Sequence, residues 1–501
     1  MSVDAGSAST ASTASTAPAA PGAAPTVPLP PADAAGRTLI HGLFSRDLPR
    51  EHGFEPLTVE GALPASLRGT LYRNGPGQFG VAGRRYGHPF EGDGAVTAVR
   101  FADGAALGAA RIHATAGLVR ERAAGAMLYG TRAPWPRRLR NLVRGEDKNT
   151  ANTSVLAWQG RLFALMEAGL PTEVDPRDLH TLGETDLGCV RGMLTAHPHR
   201  VAARAATYAF GLGYGRVTQF HLYELPDVGP ARRLGSVPLA GPPMLHDFIA
   251  TDTHLVFFVS PVRVDVARVL TARGAFADLF RWQPEHGTEV ICVPIDRPAE
   301  VIRFTVAPFF QWHFANAFSR GGELVIDHVR YPDFRSFGEL GALGAHQGPG
   351  SAAPVVENGT LHRATIDLAA RRLRSEPLCD QPCEFPTVAP GREGTAGATT
   401  YVVLGDLAAI GAIDARGRVT RHALPAGQCI TEALFVAAEP AGQAAADGPG
   451  HLLALGHTTD RAFVAIYDAA RIPDGPVARV WLDHHVPITF HGTWVPASAT
   501  A

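Results

Sequence analysis

The chain has 501 residues, of which 46% are hydrophobic and 18% are charged, and its formal net charge is -2. This balance is typical of a soluble globular protein with a large core, and it lacks the basic excess of nucleic-acid-binding proteins. We therefore expect no nucleic-acid partner.

Residues 1–36 form the first segment, which is dominated by Ala, Ser, Thr and Pro. It has neither a basic start nor an apolar stretch, so it predicts a disordered tail and not a signal peptide. Residues 37–501 are predicted to form a single domain. No run approaches the roughly eighteen apolar residues of a membrane-spanning helix. The five cysteines are scattered and odd in number, which favours a reducing cytoplasm over a disulfide framework.

Short β-rich runs alternate with Gly or Asp turns along this domain. One unit consists of Val155–Trp158, a two-residue turn ending at Gly160, and Leu162–Met166, and further units follow Phe248 and Phe314. Many short strands rich in Val, Phe and Tyr predict an all-β fold that is closed or radially repeated. We predict a β-propeller, in which the first strand of every blade lines the central axis.

Two segments depart from this strand pattern. Residues 117–145 mix Trp and Leu with seven arginines and predict amphipathic helix and loop, and residues 264–282 have apolar residues at helical spacing. In one interpretation, both segments form a cap packed on the propeller. In the other, they form a substrate-access face at a membrane, with Trp135, Leu139 and Leu142 at the lipid boundary and arginines at the headgroups. The sequence leaves both interpretations open.

Four of the 21 histidines differ from the others, because apolar or tightly packed residues surround them in the sequence. They are His197, His246, His313 and His491. They lie too far apart for one helix or loop to bring them together, whereas a ring of blades brings distant residues to one axis. The sequence therefore indicates a cluster of imidazoles on the axis.

Several motifs occur in order between about residue 50 and the C-terminus. They include Leu71-Tyr-Arg-Asn-Gly-Pro-Gly77, His88-Pro-Phe-Glu-Gly-Asp-Gly94, Thr195-Ala-His-Pro198, Leu245-His-Asp-Phe248, Pro382-Cys-Glu-Phe385 and Phe490-His-Gly-Thr-Trp494. Together they resemble the carotenoid cleavage oxygenase family, which also contains stilbene-cleaving enzymes and the retinal pigment epithelial membrane protein. The resemblance implies a seven-bladed propeller with a helical and loop cap over an axial metal site.

The resemblance also implies one Fe(II) per chain, held by the four histidines. It further implies that Glu167, Glu384 and Glu432 are carboxylates that bond to these histidines from behind. Four neutral imidazoles would leave an octahedral ion its full charge and two open positions. Each ligating imidazole has a second N–H that needs an acceptor, and a buried glutamate provides one. The implied reaction is cleavage of a C=C bond of a carotenoid or apocarotenoid by O2, giving aldehyde or ketone products.

An apolar polyene needs an apolar tunnel with few polar groups. We predict that its walls include the aromatic residues next to His313, which are Phe309, Phe310, Trp312 and Phe314. Because such a substrate is almost insoluble in water, we expect the enzyme to take it from a membrane. The partners are then the polyene, O2 and a membrane surface, and the protein is predicted to be a cytoplasmic, peripherally membrane-associated monomer.

The retinoid-isomerase chemistry of the family's animal branch is disfavoured because it is a narrow specialisation, and two further alternatives remain at the level of sequence. In the stilbene-cleaving branch of the family, a lysine and a tyrosine engage the phenol of the substrate. The single lysine of this chain, Lys148, lies later than the stretch Tyr129–Pro134 where that lysine would fall, so a carotenoid or apocarotenoid is favoured. The other alternative is a non-catalytic propeller whose histidines hold zinc, although closed zinc sites usually include cysteine.

Overall fold

The computed structural model describes most of the chain. The described residues are Leu29, 34–214, 216–344, Val356, 358–438 and 449–499. Most of the predicted disordered tail lies outside these residues. Helix α1 begins at Ala34, within the last three residues assigned to that tail.

Seven antiparallel blades surround a central axis in the described part of the chain. They belong to six sheets of four or more strands, and the seven-stranded sheet contains two blades. It contains the 17-residue strand Arg372–Val388. The part Arg372–Cys383 pairs with the strand Gly359–Asp367 of one blade, and the part Cys383–Val388 forms the first strand of the next. This architecture confirms the predicted all-β, seven-bladed propeller.

Contacts between the edge strands of neighbouring blades identify the axial strands. The strands of blades 1 to 4 run in the following order from the axis outwards. Blade 1 has His491–Pro496, Gly69–Gln78, Asp93–Ala102, Ala105–Ile112 and His52–Pro56. Blade 2 has Ser154–Trp158, Arg161–Leu165, Thr172–Val174 and Thr181–Glu184. Blade 3 has His199–Val201, Ala206–Gly213, Thr218–Pro226 and Arg232–Leu239, and blade 4 has Ile249–Ala250, His254–Val259, Thr288–Pro294 and Ile302–Val306.

Blades 5 to 7 follow in the same direction around the axis. Blade 5 has Phe314–Arg320, Glu323–Arg330, Gly359–Asp367 and the first part of Arg372–Val388. Blade 6 has the end of that strand, Thr400–Leu404, Ala409–Ile413 and Val419–Ala423. Blade 7 has Cys429–Ala437, Gly450–His457, Ala462–Asp468, Ala478–Leu482 and Thr58–Gly61. Two small ribbons, Gly80–Val81 with Arg84–Arg85 and Val262–Val264 with Phe280–Trp282, lie outside the blades.

Strands from both ends of the described chain close the ring. In blade 1, Gly69–Gln78 pairs with His491–Pro496, so that Asn74 lies opposite His491. In blade 7, Thr58–Gly61 pairs with Ala478–Leu482. The position of the last axial histidine therefore depends on an N-terminal strand.

The predicted hairpin at the start of blade 2 is present. Its strands Ser154–Trp158 and Arg161–Leu165 are joined by Gln159 and Gly160, whose φ angles are 50° and 73°. A two-residue turn with both central residues at positive φ matches the twist of antiparallel strands. The turn residues thus set the register of this hairpin.

The hydrophobic core lies between adjacent blades. Between blades 3 and 4, the fully buried rings of Phe220 and Phe257 stack with centroids 4.7 Å apart. Burying a phenylalanine side chain stabilises a fold by about 2–3 kcal/mol. The blades therefore hold the axial strands in place independently of any metal.

Five helices occur in the described residues. They are α1 (Ala34–Leu43), α2 (Ala116–Ala124), α3 (Trp135–Arg144), α4 (Val266–Leu270) and α5 (Arg335–Gly344). Helices α2 and α3 confirm the predicted helix and loop at 117–145. The helical prediction for 264–282 holds only for α4, because the segment ends as a strand paired with Val262–Val264. None of the described helices has the length and hydropathy needed to span a bilayer.

Candidate metal centre

The four predicted histidines occupy equivalent places in four blades. His313 directly precedes the axial strand of blade 5, and His491 opens that of blade 1. His197 and His246 lie two and three residues before the axial strands of blades 3 and 4. Because all axial strands converge, the four side chains meet at one end of the axis.

The ring nitrogens of these histidines form a compact cluster. One nitrogen from each residue lies within 4.8 Å of the others. The Nε2 atom of His246 lies 3.0 Å from that of His197 and 3.2 Å from that of His313. The structure therefore brings together all four residues that the sequence indicated.

Three of the histidines bond through Nδ1 to the predicted glutamates. His246 contacts Glu167. His313 bonds to Glu384 at 2.5 Å, and His491 bonds to Glu432 at 2.8 Å. A carboxylate accepts the Nδ1–H, which directs the unprotonated Nε2 towards the axis. Among the described residues, no carboxylate bonds to the ring of His197.

Each glutamate has a different second partner. Glu384 accepts hydrogen bonds from the Tyr331 hydroxyl and the backbone N–H of Phe385, each at 2.7 Å. Glu432 accepts from the guanidinium of Arg73 and, at 3.0 Å, from the N–H of Gly492. These two carboxylates are therefore held firmly against their histidines.

Glu167 is held less tightly than the other two. It faces the adjacent cavity and has a distant contact, 3.5 Å, from the hydroxyl of Thr153. Sequence reasoning gave no role to Arg73 or Tyr331. Only Arg73 had a local signal, since it is a charged residue inside a strand motif that is otherwise uncharged.

Neighbouring histidines and hydrogen-bond donors outweigh burial at all three carboxyl groups. Burial raises the pKa of Glu384, but His313 and the N–H and O–H donors lower it below its usual value overall. Burial also raises the pKa of Glu432, and Arg73 and His491 lower it overall. The pKa of Glu167 is likewise lowered, with His246 outweighing burial. The three groups are therefore carboxylates near neutral pH.

The donor set fits a metal ion. With Nδ1–H of both His246 and His313 directed at glutamates, their Nε2 lone pairs face each other at 3.2 Å. Two nitrogens bound at right angles to one ion, each about 2.1 Å from it, would lie about 3.0 Å apart. Imidazole nitrogens suit iron, zinc, copper and nickel. The cluster can therefore hold a divalent transition metal.

The model of the retinal pigment epithelial membrane protein family matches residues 46–496. The chain belongs to this family. The resemblance to carotenoid cleavage oxygenases is thereby confirmed across nearly the whole propeller.

Relatives within the family cover most of the chain. The apocarotenoid-15,15'-oxygenase of Synechocystis is 31% identical, over 89% of this chain and 94% of the relative. The carotenoid cleavage oxygenase of Mycobacterium tuberculosis is 28% identical, and the isoeugenol monooxygenase of Pseudomonas nitroreducens is 27% identical, each over 88% of this chain and 94% of the relative. A solved structure of cobalt-substituted Synechocystis ACO has a TM-score of 0.80 and 28% identity, over 92% of this chain and 99% of that one. The chain is thus an enzyme of the carotenoid cleavage oxygenase family, as predicted.

A cavity of about 800 Å³ opens onto the histidine cluster. Its walls include His246, His313 and His491, together with residues of helices α1, α3, α4 and α5. Apolar side chains next to the histidines include Phe90, Trp312, Phe337 and Phe490. The helices therefore act as the predicted cap over the site.

Only one of the four predicted tunnel residues reaches this cavity. Trp312 lines it, with its ring centroid 4.9 Å from that of His246 and its indole N–H bonded to Ser336. Phe309, Phe310 and Phe314 are not among the described residues lining the cavity.

Packing explains where these three phenylalanines lie. Phe310 lies behind Trp312, with ring centroids 4.8 Å apart. Phe309 and Phe314 pack against Phe258 in the core between blades 4 and 5.

The residues predicted to contact a membrane lie on α3. Leu142 lines the cavity and Leu139 is half-buried, while Trp135 is 46% exposed and its indole N–H bonds to the carbonyl of Thr271. Leu270 of α4 is also exposed. Apolar surface thus extends from the outside of the cap to the cavity.

The single lysine lies at the cavity wall but is already bonded. The Nζ atom of Lys148 lies 2.6 Å from carboxylate oxygens of Asp93 and Glu121 and 2.7 Å from the Tyr86 hydroxyl. The contacts with Glu121 and Tyr86 are hydrogen bonds donated by the ammonium, and the contact with Asp93 is an ion pair. The cluster ties α2 to blade 1.

Proposed function

We propose that this protein is an Fe(II)-dependent dioxygenase that cleaves one C=C bond of a carotenoid or apocarotenoid. One O2 molecule supplies the two oxygen atoms, so each carbon of the broken bond becomes a carbonyl carbon. The observation that carries the proposal is the ring of four imidazoles open to a large apolar cavity. The oxygenase names of the relatives support it.

The metal ligands would be His197, His246, His313 and His491, holding one ion. Iron bound there would activate O2 beside the double bond. The chain keeps three of the imidazoles in one orientation through carboxylates, and a loss of such a partner typically costs 10 to 100-fold in affinity or activity. The cobalt-substituted Synechocystis ACO supports a divalent ion in a protein of this fold.

Aromatic side chains would position the polyene and exclude water. Trp312 and Phe337 stack with centroids 6.1 Å apart, and Phe90 packs edge-on to both Trp312 and Phe490. A rigid apolar wall of this kind contacts a flat polyene without requiring polar partners. Because the histidines line the same cavity, a bound double bond would lie next to them.

The occupied lysine favours this substrate class over a stilbene. Recognition of a phenol by Lys148 would require it to give up a contact with Asp93, Glu121 or Tyr86. Leaving a buried carboxylate without its cation is costly. A stilbene or isoeugenol substrate therefore lacks the lysine partner used in the stilbene branch.

We further propose that the enzyme is a cytoplasmic monomer that loads its substrate from a membrane surface. Exposed apolar residues of α3 and α4, namely Trp135, Val143, Val266 and Leu270, support this proposal. Their side chains and the neighbouring arginines have the chemistry of an interfacial surface. A poorly soluble polyene would then reach the cavity without crossing water.

The test is incubation of the iron-loaded protein with carotenoids, apocarotenoids, resveratrol and isoeugenol under 18O2, with products identified by mass spectrometry. We expect labelled carbonyl products from a polyene. Cleavage of only the stilbene or the phenylpropene would contradict the substrate class. Stoichiometric iron with no cleavage of any compound would favour a metal-binding propeller without activity.

A further inference from the structure

Arg73 is a buried cation that is connected to the metal centre through one carboxylate. It is 1% exposed, and its guanidinium contacts Glu432, which bonds in turn to His491. It also donates to the backbone carbonyl of Phe490 at 3.0 Å. The charge of Arg73 thus acts on the metal centre through one carboxylate and one imidazole.

The other two glutamates have no such cation. Besides their histidines, Glu384 is bonded to the neutral hydroxyl of Tyr331, and Glu167 has a distant contact from the neutral hydroxyl of Thr153. Asp247, another buried carboxylate near the ring, pairs separately with His199 at 2.8 Å. The three glutamates and Arg73 therefore carry a combined charge of two negative units.

A divalent ion in the histidine ring cancels this charge, because the imidazoles themselves are neutral ligands. A trivalent ion would leave one positive charge uncompensated in a buried site, which is unfavourable. Without Arg73, the same three carboxylates would instead make a trivalent ion the neutral state. The single guanidinium therefore removes one unit of negative charge behind the histidines, which favours Fe2+ over Fe3+.

We propose that Arg73 is a positioning residue that keeps bound iron in the ferrous state, by partly neutralising Glu432 behind His491. The inference rests on the proposed function, since it assumes iron held by the four histidines.

The test measures the reduction potential of the bound Fe3+/Fe2+ couple in the full-length protein by mediated spectroelectrochemistry, with the ferric fraction followed by EPR. Arg73→Met should shift the equilibrium about tenfold towards Fe3+, a potential about 59 mV lower for a one-electron couple. Glu432→Gln, which leaves the cation unpaired, should shift it in the opposite direction. The double variant should return to within about threefold of the wild type, because both charges are gone.

Tyr331→Phe is the matched control, because it removes a hydrogen bond from Glu384 without removing a charge. We expect it to shift the equilibrium less than threefold. Two results would mean that Arg73 has only a structural role. One is an equal shift of the Fe3+/Fe2+ equilibrium in Tyr331→Phe and Arg73→Met. The other is a double variant whose equilibrium does not return towards that of the wild type.

Two further measurements keep the inference testable if Arg73→Met does not fold. Arg73→Lys retains the charge and should keep the Fe3+/Fe2+ equilibrium within about threefold of the wild type. A Glu432→Gln potential that does not rise would overturn the inference. Failure of the wild type to bind iron would contradict the proposed function instead, so the two failures are distinguishable.

Discussion

Replacement of Glu384 by glutamine tests how the outer carboxylates support the metal centre. Glu384 accepts three hydrogen bonds, from the His313 ring at 2.5 Å and from the Phe385 N–H and the Tyr331 hydroxyl at 2.7 Å each. The amide oxygen of glutamine can still accept from His313 and Phe385. Its NH2 group then faces Tyr331, whose buried O–H loses its acceptor.

The expected loss of metal affinity and activity follows from the missing negative charge as well as from the lost hydrogen bond of Tyr331. The carboxylate raises the pKa of His313 above its usual value despite burial, which shows that it strengthens that imidazole as a base. Loss of such a partner costs about 10 to 100-fold in metal affinity or activity, or about 1.4–2.7 kcal/mol. We expect Glu384→Gln to fall in this range.

The assay is a competitive Fe(II) or Co(II) titration together with steady-state turnover. Glu376→Gln is the matched control, because Glu376 lies on the same strand, Arg372–Val388, but is exposed. The control should bind metal like the wild type. Wild-type affinity and turnover in Glu384→Gln would refute the role assigned to the carboxylate.

Three further predictions concern the ligands, the cap and the access surface. His313→Ala should abolish iron retention while leaving a wild-type circular dichroism spectrum, because blade packing holds the axis; full iron content would rule out His313 as a ligand. Lys148→Met should lower the free energy of unfolding by about 3 kcal/mol, since it leaves two buried carboxylates without their cation; an unchanged denaturant midpoint would contradict this. Trp135→Glu combined with Leu139→Glu should reduce flotation with anionic liposomes, whereas Val228→Glu, on an exposed turn of blade 3, should not. Equal flotation of all three proteins would show that the cap does not contact lipid.

The sequence by itself determined the propeller and the histidine cluster. Turn residues such as Gln159 and Gly160 select a two-residue hairpin through their own φ angles, so local chemistry was sufficient there. The apolar surroundings of His313 and His491 were likewise local. Their convergence followed from the ring, because equivalent positions at the starts of axial strands must meet at the axis.

Only the tertiary structure decided which side chains face the cavity and what surrounds the carboxylates. Phe310 and Trp312 are two residues apart in an aromatic run, yet one lies in the blade core and the other at the metal. The contact of Arg73 with Glu432 joins strands of blades 1 and 7 that are 359 residues apart. Such contacts depend on strand twist and on how neighbouring blades pack, and no periodicity in the chain encodes them.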